Sequence, residues 1–158
     1  MIVNRIIYNI QFCRSFIVSG HLRDVVKAPT LFGSAQNMSS KALDSVPKVD
    51  IDPDGVFKYI LIKVYDKEKD NVEPSTTIVR GYKRHNYHSD IYDEVQDKLK
   101  PLDCEPIGGG RISHQPDDKK IHIYGYSQGY GKADHEVTAR LIKDAFPNYT
   151  ITISDEGY

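Results

Sequence analysis

Six histidines are spread through the 158 residues, and His88 sits where one could act on a substrate. It lies between the segment 81–87 and an amphipathic run opening at Ser89. A helix N-terminus offers unpaired N–H groups and about half a positive charge, which together attract phosphate. The same field disfavours imidazolium, leaving a neutral ring able to accept a proton near pH 7. A neutral histidine beside an anion site is what general-base hydrolysis requires. The plainer alternative is that His88 only caps the helix, and Asp90, Asp93 and Glu94 in its opening residues oppose an anion. Position alone favours that plainer reading.

Lys58 is the second anomaly. On an alternating strand it shares a face with Val56, Ile60, Ile62 and Val64, a costly place for an unpaired ammonium. It can snorkel to the strand end, or it can hold a bound phosphate. Ser127, Gln128 and Gly129 open a glycine-rich loop whose consecutive amides, with the Ser127 hydroxyl, could cradle the same anion. Arg80 and Arg111 are further cations, although strand arginines are often solvated or paired.

Other chemistries fit less well. Cys104 and Arg111 have six residues between them, one too many for a cysteine-phosphatase loop. His85 and His88 are three apart but lack the clustered carboxylates of a metal-dependent phosphatase, so neither a metal nor an organic cofactor is expected. No Walker-type loop or G-x-S-x-G elbow occurs.

The elements that must position these residues are legible from periodicity. Asp52-Pro53-Asp54-Gly55 predicts a turn. Residues 56–65 and 76–83 read as strands, with a polar loop over 66–74. Ile91, Tyr92, Val95 and Leu99 predict a helix over 89–100, stopped by Pro101. Gly108-Gly109-Gly110 marks a tight bend or a close backbone approach. Residues 120–126 form a third clear strand. Asp134 caps a second helix bearing Val137, Leu141, Ala145 and Phe146 and ended by Pro147, and 149–154 closes the domain as a strand. The expected class is α/β with one sheet.

Composition bounds the partners. A 39% hydrophobic and 27% charged chain is ordinary for a soluble domain. A net charge of −1 gives no field to recruit nucleic acid or an anionic membrane, and no apolar run is long enough to span a bilayer. Cys13 and Cys104 form neither a disulfide framework nor a zinc site and suit a reducing compartment. Residues 1–45 hold five basic residues against two acidic ones, +3, leaving −4 for the rest. The first 23 residues have no acid, a composition shared with mitochondrial transit peptides. A dispensable extension, with Met38 as a second start, is the plainer reading, and 32–48 reads as linker. The domain is therefore expected over 46–158, cytoplasmic unless the extension directs it to mitochondria.

Six ordered segments carry a resemblance. VDIDPDGVFKYILIKV (49–64), IVRGYK (78–83), YHSDIYDEV (87–95), GGGRISH (108–114), KKIHIYGYS (119–127) and the terminal SDEGY resemble the janus/ocnus family. YGYSQGYGKADHEVT (124–138) is most similar to its janus-A branch, whose name carries a link to somatic sex differentiation. The resemblance covers essentially everything after residue 45. It implies a compact domain with a mixed six-stranded sheet and two main helices. It further implies a monomeric, metal-independent phosphatase acting on phosphohistidine in proteins. His88 takes the place of the active-site histidine, Lys58 of a substrate-contacting lysine, and Ser127, Gln128 and Gly129 of the phosphate loop. Ser89, Arg80 and Arg111 take supporting places. Gln128 stands where vertebrate-like members carry an apolar residue. General-base and phosphoenzyme mechanisms both remain open, as does a non-catalytic phosphoprotein-binding regulator.

Overall fold

The computed structural model describes residues 41–66 and 74–155. Six strands and two main helices follow one another along the chain. They are β1 (Val49–Ile51), β2 (Gly55–Tyr65), β3 (Ser75–Gly81), α1 (His88–Leu99), β4 (Asp103–Gln115), β5 (Lys120–Tyr124), α2 (His135–Ala145) and β6 (Thr150–Ile153). They build one mixed sheet in the order β1-β3-β2-β4-β5-β6. The pairs β1–β3 and β5–β6 are parallel; the three central pairs are antiparallel.

The alternation of β2 decides which helix covers which face. Ile60, Ile62 and Val64 point to one side, where Ile91 and Val95 of α1 pack with Ile78 and Cys104. Phe57, Tyr59 and Leu61 point to the other, where Ile142 of α2 joins Val79, Ile112, Ile121 and Ile123. The central strands are thus buried on both faces, which is why β2 reads as a nearly unbroken apolar run. Lys58 does lie on the α1 face, as its spacing predicted. Gly55 takes a φ of +87° at the expected turn, a conformation that suits glycine.

For Gly108-Gly109-Gly110 the close backbone approach holds and the bend does not: the triplet lies inside β4, a 13-residue strand between β2 and β5. Glycine and proline lower its local strand propensity, and pairing on both sides overrides that. The third clear strand stops at Tyr124 rather than at residue 126. The expected linker over 32–48 and extension over 1–45 include helical residues 41–44, whose Leu43 is 4% exposed and packs among Ile60, Ile62 and Ile78. Residues 1–40, most of the loop over 66–74 and the last three residues lie outside the described residues, as do Cys13 and Met38. Among the described residues no helix is long and apolar enough to cross a membrane.

Candidate active site

The first turn of α1 fixes His88. Tyr87 is extended (φ −122°, ψ 150°) and its amide donates to the Asp90 carboxylate at 3.2 Å, so the helix opens at His88, one residue earlier than predicted. The His88 and Ser89 amides therefore have no intrahelical acceptor. The His88 imidazole turns into the sheet and is only 8% exposed. Its Nε2 lies 3.0 Å from the Gly110 carbonyl oxygen. A carbonyl can only accept, so the proton sits on Nε2 and Nδ1 carries the bare lone pair. Nδ1 has no hydrogen-bond partner among the described residues. Among the described residues the one buried side-chain polar atom lacking a partner is Nε2 of His114, so His88 Nδ1 reaches solvent.

Electrostatics keep this ring neutral. Burial is the main cause pulling the His88 pKa below the usual histidine value; the Gly110 carbonyl opposes it, and the Lys58 and Arg111 charges lower it further. Lys58 and Arg111 are direct cross-strand partners on β2 and β4. The Lys58 ammonium donates to the Asn86 carbonyl and stands 5.8 Å from the centre of the Tyr87 ring.

The glycine triplet is what lets helix and loop approach β4. A Cβ on Gly109 would lie 2.8 Å from His88 Cδ2, and one on Gly108 would lie 2.6 Å from Ala133 Cα. Gly109 then pairs with the loop after β5: its amide donates to Gly131 O at 3.0 Å and its carbonyl accepts from the Ala133 amide at 3.1 Å. This docking sets Ser127, Gln128 and Gly129 opposite the start of α1.

The loop differs in detail from the expected row of three amides. The Ser127 amide donates to Gly131 O at 3.1 Å and is spent inside the loop. The Ser127 hydroxyl accepts the Tyr130 amide at 3.2 Å, so its own proton remains available to a ligand. The amides of Gln128 and Gly129 have no partner among the described residues. A cavity of about 390 Å³ brings together Lys58, His88, Ser89, Ser127, Gln128 and Gly129, with Tyr87 and Tyr130 completing its wall.

Arg80 is placed elsewhere. Its buried guanidinium donates to the carbonyls of Val79 and Pro47, both at 2.8 Å, tying the chain before β1 to β3. It does not line the cavity. His85 is held by Glu94 rather than beside His88. Hydrogen bonds from Arg84, Lys98 and His85 pull the Glu94 carboxyl down to about 2. Among the described residues no three His, Cys, Asp or Glu side chains gather in an arrangement that could hold a metal. Burial pushes the Cys104 thiol up, the wrong direction for a thiolate nucleophile.

Several supporting groups escaped the sequence reading. His135 Nε2 donates to the Gly125 carbonyl at 3.0 Å, so its Nδ1 must accept the Tyr59 hydroxyl at 2.7 Å. Tyr59 OH also accepts from Thr138 at 3.4 Å. This buried network packs behind Gly110, whose Cβ would meet the Tyr59 ring at 2.8 Å and His135 at 3.1 Å. It thereby backs both the carbonyl that orients His88 and the strand end that launches the loop. The one sequence signal was the helix cap at Asp134, which accepts from Glu136 and Val137 and places His135 at the first helical position.

Known proteins share much of this sequence. The chain is 52% identical over 120 residues to the 14 kDa phosphohistidine phosphatase of Sus scrofa, spanning 73% of this chain and 95% of that one. It is 49% identical over 125 residues to the Homo sapiens protein of the same name, spanning 77% and 100%. To sex-regulated protein janus-A of Drosophila pseudoobscura pseudoobscura it is 50% identical over 124 residues, spanning 77% and 83%. With the family model for Janus/Ocnus matching residues 43–150, which hold every residue lining the cavity, the chain belongs to the Janus/Ocnus family.

Proposed function

We propose that this protein is a protein-histidine phosphatase that hydrolyses the P–N bond of phosphohistidine, with His88 as general base. The observation that carries the reading is the neutral, solvent-reaching Nδ1 of His88 beside a row of N–H and cationic groups. The amides of His88, Ser89, Gln128 and Gly129, the Ser127 hydroxyl and the Lys58 ammonium would hold the phosphoryl oxygens. Arg111 adds positive field from the neighbouring strand. Phosphoryl transfer through a loose transition state is chiefly positioning and charge stabilisation, which these groups supply without a metal or cofactor.

Water attacks phosphorus in line with the P–N bond, and Nδ1 takes its proton. The bond pair leaves with the substrate imidazole, which departs neutral when its other nitrogen already carries a proton. Direct attack by Nδ1 would instead give a phosphorylated His88. Both routes use the same lone pair, and rapid quenching without acid separates them, since only the second leaves phosphate on His88. A non-catalytic phosphoprotein reader would need the cradle but not the bare nitrogen.

The reading extends to a monomeric enzyme acting on histidine-phosphorylated proteins, its catalytic domain taking in helical residues 41–44, whose Leu43 packs in the core. It places the protein in the cytoplasm, with mitochondrial delivery through the extension as the alternative. It extends also to a role in somatic sex differentiation, a proposal with which the name of the Drosophila relatives, sex-regulated protein janus-A, is compatible. The test is phosphate release from a histidine-phosphorylated peptide with a chelator present. His88→Ala should lose about 10²–10⁴-fold in turnover while its circular dichroism is unchanged. Wild-type turnover by that variant, or no release by the wild type, would sink the assignment.

A further inference from the structure

Beyond the cavity the same sheet face continues without a covering helix among the described residues. α1 packs on β2, β3 and β4, so among the described residues neither main helix lies on this side of β5 and β6. The row that starts at Lys58 passes through its partner Arg111 to Tyr124. From Tyr124 the face runs down β5 through His122 to Lys120, with Thr152 of β6 alongside. His122 and Tyr124 stack (centroids 5.2 Å apart, interplanar angle 19°), and His122 Nδ1 lies 2.8 Å from the Thr152 hydroxyl, so this floor is ordered. Residues 56–58, 111–115, 120–124 and 150–152 include Lys58, Arg111 and Lys120 but no Asp or Glu. Lys120 and Thr152 are exposed. Charge selects the occupant. Residues 1–40 of this chain hold four basic residues and one acidic, so their composition lacks the negative charge that the strip selects.

We propose that this strip docks an acidic stretch of the substrate protein beside its phosphohistidine, a specificity that rests on the phosphatase reading. Four residues of β5 separate Tyr124 from Lys120, roughly 13 Å at about 3.3 Å per residue. An extended substrate segment with its phosphohistidine over His88 and its first or second neighbour at Arg111 thus brings its fifth or sixth neighbour to Lys120, because Arg111 is level with Tyr124. Like charges at those positions are rejected, which gives the face its selectivity.

The test uses the full-length chain and synthetic phosphohistidine peptides carrying Glu, Ala or Lys one to six residues from the phosphohistidine, on either side. On one side, KM should be about three- to tenfold lower for Glu than for Lys at the fifth or sixth position, the scale expected of one or two exposed charge pairs. The difference should fade in about 0.5 M salt. Lys120→Glu should reverse the preference while leaving turnover of free phosphohistidine, which cannot reach the strip, unchanged. A KM indifferent to flanking charge, or a Lys120→Glu variant with unaltered preference, overturns the proposal. If the wild type released no phosphate, the phosphatase reading would fail alone. Fluorescence anisotropy of the same peptides would still support the docking face if acidic flanks bound better and Lys120→Glu removed the gain, and refute it if not. Protection of Lys120 from amine acylation in the peptide-free protein would show that another segment or a second copy already occupies the strip, and would also refute it.

Discussion

Gly109→Ala tests the claim that β4 is bare in order to seat His88. The new Cβ would lie 2.8 Å from His88 Cδ2, 3.1 Å from Nε2 and 3.0 Å from the Tyr59 carbonyl oxygen. Tyr59 belongs to a buried central strand and cannot yield, so the ring must. Carbon contacts become ordinary near 3.4 Å, so the imidazole retreats by about 0.6 Å. The Nε2–H···O=C bond to Gly110, now 3.0 Å, would stretch to about 3.6 Å, past hydrogen-bond range. The ring then loses the partner that fixes its tautomer and aim. Misplacement on that scale costs on the order of 10²-fold in rate. Overpacking should also remove about 1–3 kcal/mol of stability. Gly109 has no left-handed φ, so alanine adds bulk without backbone strain. Initial rates of phosphate release and urea midpoints report the two effects separately. A variant that lost stability but kept wild-type kcat would refute the positioning argument; one unchanged in both would refute the contact itself.

Protonation of Nδ1 should abolish the base. The acid limb of kcat/KM is therefore expected below the ordinary histidine pKa, because burial and the Lys58 and Arg111 charges lower it. Lys58→Met should move that limb upward, and a pH–rate profile shows whether it does. His135 is also pulled below its usual value by burial, so the unfolded chain binds more protons than the fold as pH falls through the histidine range. Both groups contribute stability fully above about pH 6.5, lost progressively below it, as urea titrations at a series of pH values would record. Arg80→Ala should lower the urea midpoint by removing the guanidinium's hydrogen bonds to the Pro47 and Val79 carbonyls, with KM unchanged because the side chain is outside the cavity. Tyr59→Phe should cost about 1–3 kcal/mol by orphaning buried His135 Nδ1.

The sequence carried whatever depends on local order. The alternation of β2 placed Lys58 on its face, and the helical spacing of Ile91 and Val95 set α1 behind His88, because side-chain direction follows the backbone period. Asp134 announced its helix because a cap is a contact between near neighbours. The matched motifs named His88, Lys58 and Ser127 before their distances were known.

Tertiary structure decided how those residues are held. Whether three glycines bend or continue a strand depends on the strands at either side, and β2 and β5 made them a ladder. Which nitrogen of His88 is bare depends on a carbonyl 22 residues away, a group every residue possesses and no residue type advertises. The Ser127 amide was spent on Gly131, and Arg80 was drawn to backbone oxygens, for the same reason. Main-chain partners across the sheet are chosen by the fold as a whole, and the chemistry of this pocket is tuned chiefly by them.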